Sequence, residues 1–371
     1  MRVSFFGSSL VSSYWNGAAT YYRGLLREMA SRGHVVTFYE PDAYERQAHR
    51  DIPDPPWARV VVYEASPSGV ECALREGASA DLVVKASGVG VFDGWLEENV
   101  LRLQSPGRLI AFWDVDAPAT LERMHGNPED AFRALVPRYD VVFTYGGGRA
   151  VIDDYQSFGA RVCLPIYNAL DPTTHFATAK DPAFEGTLGF LGNRLPDREA
   201  RVEEFFFDVA RARPGETFVL GGAGWNPSTL PPNVRYVGHV STNQHNAFNA
   251  SVKAVLNVHR ESMARYGTSP ATRVFEAAGA GACLISDAAE GLDLFLRPGT
   301  EILLARTGAE VARHLDALTP ETAAAVGRAA RLRIIRGHTY AHRAAEVDEV
   351  LAAVARSSAQ RSSRAREGSR P

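Results

Sequence analysis

The segment Gly267-Thr268-Ser269-Pro270-Ala271-Thr272-Arg273-Val274-Phe275-Glu276 reads as the start of a helix suited to an anion. Ser269 fits an N-cap and Pro270 a first helical position. The free N–H groups and positive dipole end of such a helix favour a diphosphate, and Gly267 lets the backbone approach it closely. Glu276 lies six residues past Pro270. That is roughly 9 Å along the axis at about 1.5 Å per residue, about the span from a diphosphate to the ribose of the same nucleotide. Thr272 and Arg273 share the helix face with Glu276. An ordinary capped helix with an Arg273–Glu276 salt bridge is the other reading these residues leave open.

A second cluster, Gly192-Asn193-Arg194-Leu195-Pro196-Asp197-Arg198, follows the apolar run Leu188 to Leu191. Ligands of open α/β sheets bind outside the carboxyl ends of the strands, and arginine holds phosphate bidentately, so Arg194 and Arg198 suit the same diphosphate. A solvated loop is the alternative. A third cluster, Trp113-Asp114-Val115-Asp116-Ala117-Pro118, puts two carboxylates on one side of an extended chain. Three readings stand: an Asp-x-Asp metal motif, an acceptor-binding or general-base carboxylate, or an N-cap at Asp116.

These residues need a scaffold, and the apolar runs supply one. Val3 to Phe6, Val35 to Tyr39, Val60 to Tyr63, Leu82 to Lys85, Leu109 to Trp113 and Val141 to Tyr145 alternate with helical patterns, the first from about Ala18 to Arg32. Such βα alternation implies a parallel sheet covered on both faces. After a polar, Pro- and Thr-containing stretch to about Glu185 the rhythm restarts at Leu188 to Leu191. It continues through Phe218 to Leu220, Val234 to Val237, Ala254 to Val258, Cys283 to Ser286 and Ile302 to Leu304. The expected organisation is one doubly wound domain over residues 1–167 and a second over 168–337. A closing helix over 338–356 then crosses back to the first domain, and a disordered Ser/Arg tail spans 357–371.

Composition narrows the class. The 371 residues are 45% hydrophobic with a formal net charge of −3, enough for real cores and without the basic field of a nucleic-acid binder. Three cysteines without a CxxC pair fit reduced thiols in a cytoplasmic protein. The short apolar start is followed by serines, as in a strand rather than a signal peptide, and no run is long enough for a membrane span. Gly146-Gly147-Gly148 and Gly221-Gly222-Ala223-Gly224 lack the G-x-G-x-x-G pattern of dinucleotide enzymes. The ten histidines show no HExxH and no short metal-ligating spacing, so neither metal nor cofactor is expected.

Taken in order, the motifs resemble those of the GT-B glycosyltransferases of group 1, and more closely the CgeB-like branch associated with spore and cell-envelope maturation. Gly192-Asn193-Arg194-Leu195 with Arg198 resembles the family's phosphate loop. Val237-Gly238-His239-Val240 resembles the segment that meets the nucleobase. Phe275-Glu276-Ala277-Ala278-Gly279 resembles the helix whose Glu binds the ribose hydroxyls. Leu164-Pro165-Ile166-Tyr167-Asn168-Ala169-Leu170-Asp171 resembles the crossing between domains, and Arg32-Gly33-His34-Val35-Val36 an N-terminal step. Asn16-Gly17 resembles the glycine loop near the transferred sugar and acceptor. One position departs from the pattern: the retaining members carry a second Glu eight residues before the first, where this chain has Thr268.

The resemblance implies a GT-B fold, two Rossmann-like parallel-sheet domains facing across a cleft. It implies metal-independent transfer of a sugar, a hexosyl group, from a nucleotide-sugar (UDP-sugar favoured) to a small-molecule, glycan or natural-product acceptor. The donor would meet Asn193, Arg194, Arg198, Gly238, His239, Val240, His259, the run Gly267 to Arg273, and Glu276. Asn16, Gly17, Asp114 and Asp116 would serve the acceptor side, with Asp116, Asp114 and Arg194 the catalytic candidates. Two rivals share the fold: a nucleotide-sugar epimerase, and a nucleotide-binding module without turnover. The nucleotide, the sugar, the acceptor, the stereochemical outcome and the oligomeric state are not readable from the residues.

Overall fold

The structure is a computed structural model describing residues 1–14 and 16–367, except for the side chains of Ser262, Arg265, Tyr266, Ala359 and residues 361–367. It divides into two compact units, one of Met1–Tyr167 together with the chain from Tyr340 onward, the other of Asn168–Thr339.

The first unit is a seven-stranded sheet. Its strands are β1 (Arg2–Phe6), β2 (Val35–Asp42), β3 (Ala58–Glu64), β4 (Leu82–Ala86), β5 (Leu109–Asp114), β6 (Val141–Thr144) and β7 (Cys163–Pro165). They lie in the order β3-β2-β1-β4-β5-β6-β7, and every pairing is parallel. Parallel strands covered on both faces must be apolar throughout, which is why Phe5, Val84, Phe112 and Phe143 are sealed from solvent. Trp113, the largest sealed side chain, donates its indole N–H to Tyr21 at 3.1 Å, and Tyr21 donates on to the Ile166 carbonyl at 2.7 Å.

The closing helix, Tyr340–Glu367, belongs to this unit. Tyr340, Ala344, Val347, Leu351 and Val354 recur at helical spacing and are all buried. The helix runs against Ala19–Ser31, closest at Gly24, where any Cβ would lie 2.2 Å from the Tyr340 ring. It continues through 357–367, which corrects the expected disordered tail over that stretch. Once a helix is nucleated each further residue gains a hydrogen bond, so a polar continuation needs no burial. Residues 368–371, the end of that tail, lie outside the described residues.

The second unit is a six-stranded parallel sheet. Its strands are β8 (Gly186–Leu191), β9 (Phe218–Gly221), β10 (Val234–Gly238), β11 (Val252–Asn257), β12 (Leu284–Asp287) and β13 (Leu303–Ala305). The order is β10-β9-β8-β11-β12-β13. Leu188, Phe190, Phe206, Phe218, Leu256 and Ile285 centre its core. Both units are therefore doubly wound α/β sheets, as the strand rhythm predicts. Each order reverses once, between β1 and β4 in the first sheet and between β8 and β11 in the second. At such a reversal the loops leaving adjacent strands diverge and open a crevice beyond their carboxyl ends.

No helix among the described residues is long and apolar enough to cross a membrane. The cysteines are unpaired, with Cys72 exposed and Cys163 and Cys283 buried.

Candidate functional site

At the β8/β11 reversal two arginines meet. Arg198 comes from the helix Pro196–Val202 that follows β8, and Arg273 from the helix Thr272–Gly279. Both guanidiniums lie over the Phe190 ring, at 5.3 and 5.1 Å from its centroid. Both reach Gly192, where a Cβ would stand 2.8 Å from Arg273 Nη2 and 2.9 Å from Arg198 Nη2. Their hydrogen bonds go to neutral acceptors. Arg198 donates to the Asn193 carbonyl at 2.6 Å, and Arg273 to the Leu191 carbonyl at 2.7 Å and to Asn257 Oδ1 at 3.0 Å.

Neither arginine has a carboxylate within ion-pair distance among the described residues. The Asp197 carboxylate is taken by Arg260 at 2.8 Å, and Asp287 by Arg201 at 2.7 Å. Burial pulls the Arg273 pKa down to about 9, with the Arg198 charge adding to the effect. Burial likewise lowers Arg198, whose Nε is buried without a partner. Two desolvated cations side by side form a site that an anion relieves.

The loop beneath them is held by backbone contact. Gly192 N–H donates to Gly221, Arg194 N–H to Ala223, and Trp225 Nε1 to the Gly192 carbonyl at 2.8 Å. Asn193 Oδ1 accepts from the Ala223 amide. Gly222, at φ +122°, passes so close that a Cβ would sit 2.3 Å from the Gly192 oxygen. The glycine run after β9 thus supports the loop after β8 by bringing two backbones together. Arg194 itself is exposed and paired with Glu199 through Nε at 2.9 Å and Nη2 at 2.8 Å. Arg198 thus lies beside Arg273, while Arg194, the other arginine expected at the diphosphate, is held by Glu199.

The anion-facing helix begins later than its sequence suggests. Ala271 occupies the N-cap and Thr272 the first helical position. Ser269 donates to the Gly267 carbonyl at 3.1 Å instead of capping, and the Pro270 carbonyl accepts from Asn168 Nδ2 at 3.2 Å. Thr268 sits at φ +41°, a region disfavoured for a β-branched residue, and its N–H donates to the Glu290 carbonyl at 2.7 Å. Glu290 lies beside this turn, its Oε2 3.1 Å from where a Gly267 Cβ would be. The sequence reading overlooked Glu290 because it lies on the next βα loop.

Further along the helix, Glu276 faces two histidines. His175 Nε2 is 3.8 Å from Glu276 Oε1 and 3.4 Å from His245 Nδ1. His245 Nε2 bonds the Val240 carbonyl at 3.2 Å, which ties this group to the Gly238-His239-Val240 segment, where Gly238 has φ +69° and His239 is exposed. Burial lowers the His245 pKa, and the Glu276 charge opposes that only in part. So two of the ten histidines do meet, across 70 residues, a separation no spacing pattern flags. The Arg273–Glu276 salt bridge is not formed, since Arg273 turns to Asn257 and Leu191.

His259 is drawn elsewhere. It is 2% exposed, and its Nδ1 and N–H both bond Asp287, at 2.5 and 2.9 Å. Burial alone would raise the Asp287 pKa, but His259 and Arg201 outweigh it and hold the carboxyl below its usual range. His259, expected among the donor contacts, thus has its ring Nδ1 and its backbone N–H engaged by Asp287.

In the first unit Asp114 ends β5 fully buried. It accepts from Ser87 at 2.7 Å, Thr120 at 3.1 Å, the Asp116 amide at 3.0 Å, and the Tyr155 hydroxyl. A carboxylate so filled has no room for a substrate, which removes Asp114 from the acceptor candidates. Asp116 is partly exposed at the N-cap of the helix Ala117–Gly126 and makes no side-chain bond to its amides. Asn16 is 8% exposed and spends its amide within the loop after β1, donating to Ser9 and Ser12 and accepting from Ser8. It shapes the loop expected on the acceptor side. Gly17 beside it is exposed.

With this geometry in view, known proteins show where the chain stands. Residues 198–349, from Arg198 through Glu276 into the closing helix, match a family model described as glycosyl transferase-like. Solved structures match over both units. Sucrose-phosphate synthase from Thermosynechococcus elongatus aligns at TM-score 0.67 and 15% identity, over 95% of this chain and 99% of that one. The chain has the GT-B fold. The HepE protein of Anabaena, solved with UDP-glucose, aligns at TM-score 0.65 and 14% identity over 95% and 100% of the two chains. An alpha-glucosyltransferase solved with UDP-glucose and DNA aligns at TM-score 0.70 and 12% identity over 95% and 99%. No curated protein matches in sequence. In this GT-B chain the glycosyl transferase-like match begins at Arg198 itself and takes in Arg273, Glu276 and His245.

Proposed function

We propose that this GT-B protein is a glycosyltransferase that moves a hexosyl group from a nucleotide-sugar to a small-molecule, glycan or natural-product acceptor. One observation carries the reading: Arg198 and Arg273 converge on Gly192 without a carboxylate, at the strand-order reversal where doubly wound sheets bind ligands. The leaving group of such a transfer is a nucleoside diphosphate, whose charge grows as the bond from the sugar carbon to the phosphate oxygen breaks. Preorganised guanidiniums and the amides at the start of the helix Thr272–Gly279 stabilise that charge without a metal. Glu276 accepts from the ribose hydroxyls, and Asn193 and the Gly238-His239-Val240 segment complete the nucleotide subsite. Arg194 reaches the diphosphate by exchanging Glu199 for it.

UDP is favoured because HepE and the alpha-glucosyltransferase, which share the fold, were solved with UDP-glucose. On the acceptor side Asp116, partly exposed at the N-cap of the helix Ala117–Gly126, is the candidate carboxylate. It acts as a base if the sugar inverts and orients the acceptor if it is retained. The order of motifs supports the CgeB-like branch as the finer assignment, with a cell-envelope acceptor glycosylated from the cytosol. The net charge of −3 argues against nucleic acid as acceptor.

Purified protein incubated with UDP-, GDP-, dTDP- and CMP-sugars, with and without an acceptor panel, tests the proposal. Acceptor-dependent release of a nucleoside diphosphate supports transfer. Epimerised donor or free sugar without an acceptor supports the epimerase, and tight nucleotide binding without turnover supports a binding module.

A further inference from the structure

Three side chains from separate segments of the second unit direct lone pairs toward one point. His175 Nε2 is 3.4 Å from His245 Nδ1 and 3.8 Å from Glu276 Oε1, and the three ligand atoms all lie within 4.8 Å of one another. The tautomers follow from the opposite ring nitrogens. The Val240 carbonyl can only accept, so His245 Nε2 at 3.2 Å from it carries the proton and Nδ1 the lone pair. Thr174 Oγ1 is 3.2 Å from the Asp171 carbonyl and 2.9 Å from His175 Nδ1, and with its hydrogen on the carbonyl it accepts from Nδ1. His175 Nε2 is then the lone-pair nitrogen. In that tautomer two imidazole lone pairs and a carboxylate face one another, an arrangement that a cation at its centre stabilises.

The spacing suits a particular class of ion. Ligands held tetrahedrally at about 2.0–2.1 Å from a metal lie about 3.4 Å apart. The histidine pair is at that separation, Glu276 Oε1 is 3.8 Å from His175 Nε2, and all three atoms lie within 4.8 Å of one another. Two imidazoles and one carboxylate favour a transition ion over Mg²⁺ or Ca²⁺, which take oxygen ligands. Each ring also has the outer hydrogen bond, to a carbonyl or a hydroxyl, that orients metal-binding histidines.

We propose that His175, His245 and Glu276 form a three-ligand site for a divalent transition cation of the Zn²⁺ class, with one coordination position open. Glu276 is also the carboxylate assigned above to the ribose. Resting on that reading, the ion and the nucleotide compete for Glu276, so the site inhibits donor binding and takes no part in the transfer.

The test titrates Co²⁺ into full-length, EDTA-treated protein and reads the visible d–d absorption, which is strong only for four- or five-coordinate ions. One equivalent should bind and be displaced by Zn²⁺. His245→Ala and the near-isosteric Glu276→Gln should each weaken binding at least tenfold while retaining a cooperative thermal melt. No visible band at one equivalent, or a band unchanged in His245→Ala, overturns the proposal. A second arm measures UDP affinity with EDTA or with saturating Zn²⁺, and the apparent Kd should rise about tenfold in the wild type and not in His245→Ala. Cobalt binding with unchanged UDP affinity keeps the metal site and removes the ribose assignment. UDP affinity that depends on Glu276, without cobalt binding, does the reverse.

Discussion

Arg198 and Arg273 are held over one aromatic ring with neutral acceptors on their remaining N–H groups, so each keeps a charge that folding leaves uncompensated. In the proposed donor complex a diphosphate would supply the compensation. Charge-assisted hydrogen bonds are worth about 1.5–3 kcal/mol each, so Arg273→Met should weaken UDP binding about 10- to 100-fold by calorimetry. The same change should leave the melting temperature of the free protein unchanged or raised, since it removes a desolvated charge. Arg194 must exchange its exposed pair with Glu199 for the diphosphate, so Arg194→Ala should change UDP affinity less than about fivefold and chiefly slow transfer. The two aspartates should separate in the same way. Asp114→Asn turns an amide toward donors that now bond a carboxylate and should cost about 1.5–3 kcal/mol in denaturant unfolding. Asp116→Asn should leave stability intact and slow acceptor-dependent turnover. Asp287 adds a pH signature. Its depressed pKa gives stability that is present above the unfolded carboxyl value, about 3.9, and is lost as pH falls through the lower folded value. The wild type should lose melting temperature below about pH 4, and Asp287→Asn, less stable at neutral pH, should be flatter across that window.

The elements around the arginines depend on close backbone approach. The phosphate loop after β8 and the glycine run after β9 touch at Gly192 and Gly222, where φ is +122° and an added Cβ would enter the Gly192 carbonyl. Gly222→Ala should therefore cost about 1–3 kcal/mol from the backbone conformation alone, with a further loss as the loop is pushed off its position. UDP affinity should fall with it. Gly17→Ala is the matched control for stability, because nothing lies within 4 Å of its added Cβ. Its unfolding free energy should stay within about 0.5 kcal/mol of wild type.

For the molecule as a whole, the closing helix is a structural part of the first unit. Tyr340, Ala344, Val347, Leu351 and Val354 are buried, and Asp348 ties the helix to Arg32 and His34 at 2.6 and 2.7 Å. Each large apolar side chain contributes about 1.5–3 kcal/mol when buried. A chain stopped after Thr339 should expose that face and the surface it covers, and should be recovered aggregated or with no cooperative melt for the first unit. A chain stopped after Arg356 keeps every one of these contacts and should melt like the full protein. Soluble yield and calorimetric scans of the two truncations decide the point.

The amino-acid sequence by itself determined the two doubly wound sheets, because unbroken apolar runs such as Leu109 to Trp113 and Phe218 to Leu220 alternate with helical periods and admit only strands covered on both faces. It also placed Arg198 and Glu276 on the loop and helix where a nucleotide would be sought. Tertiary structure alone decided which side chains meet. Arg273 turned from Glu276 to Arg198, Asp114 and His259 were consumed by buried hydrogen bonds, and His175 found His245 across 70 residues. The physical reason is that local pattern records which face of an element is buried, whereas the partner of a polar group depends on loops that converge only when the sheet order reverses. Arg198, four residues past Arg194 in sequence, thus shares Gly192 with an arginine from a helix that begins more than seventy residues later.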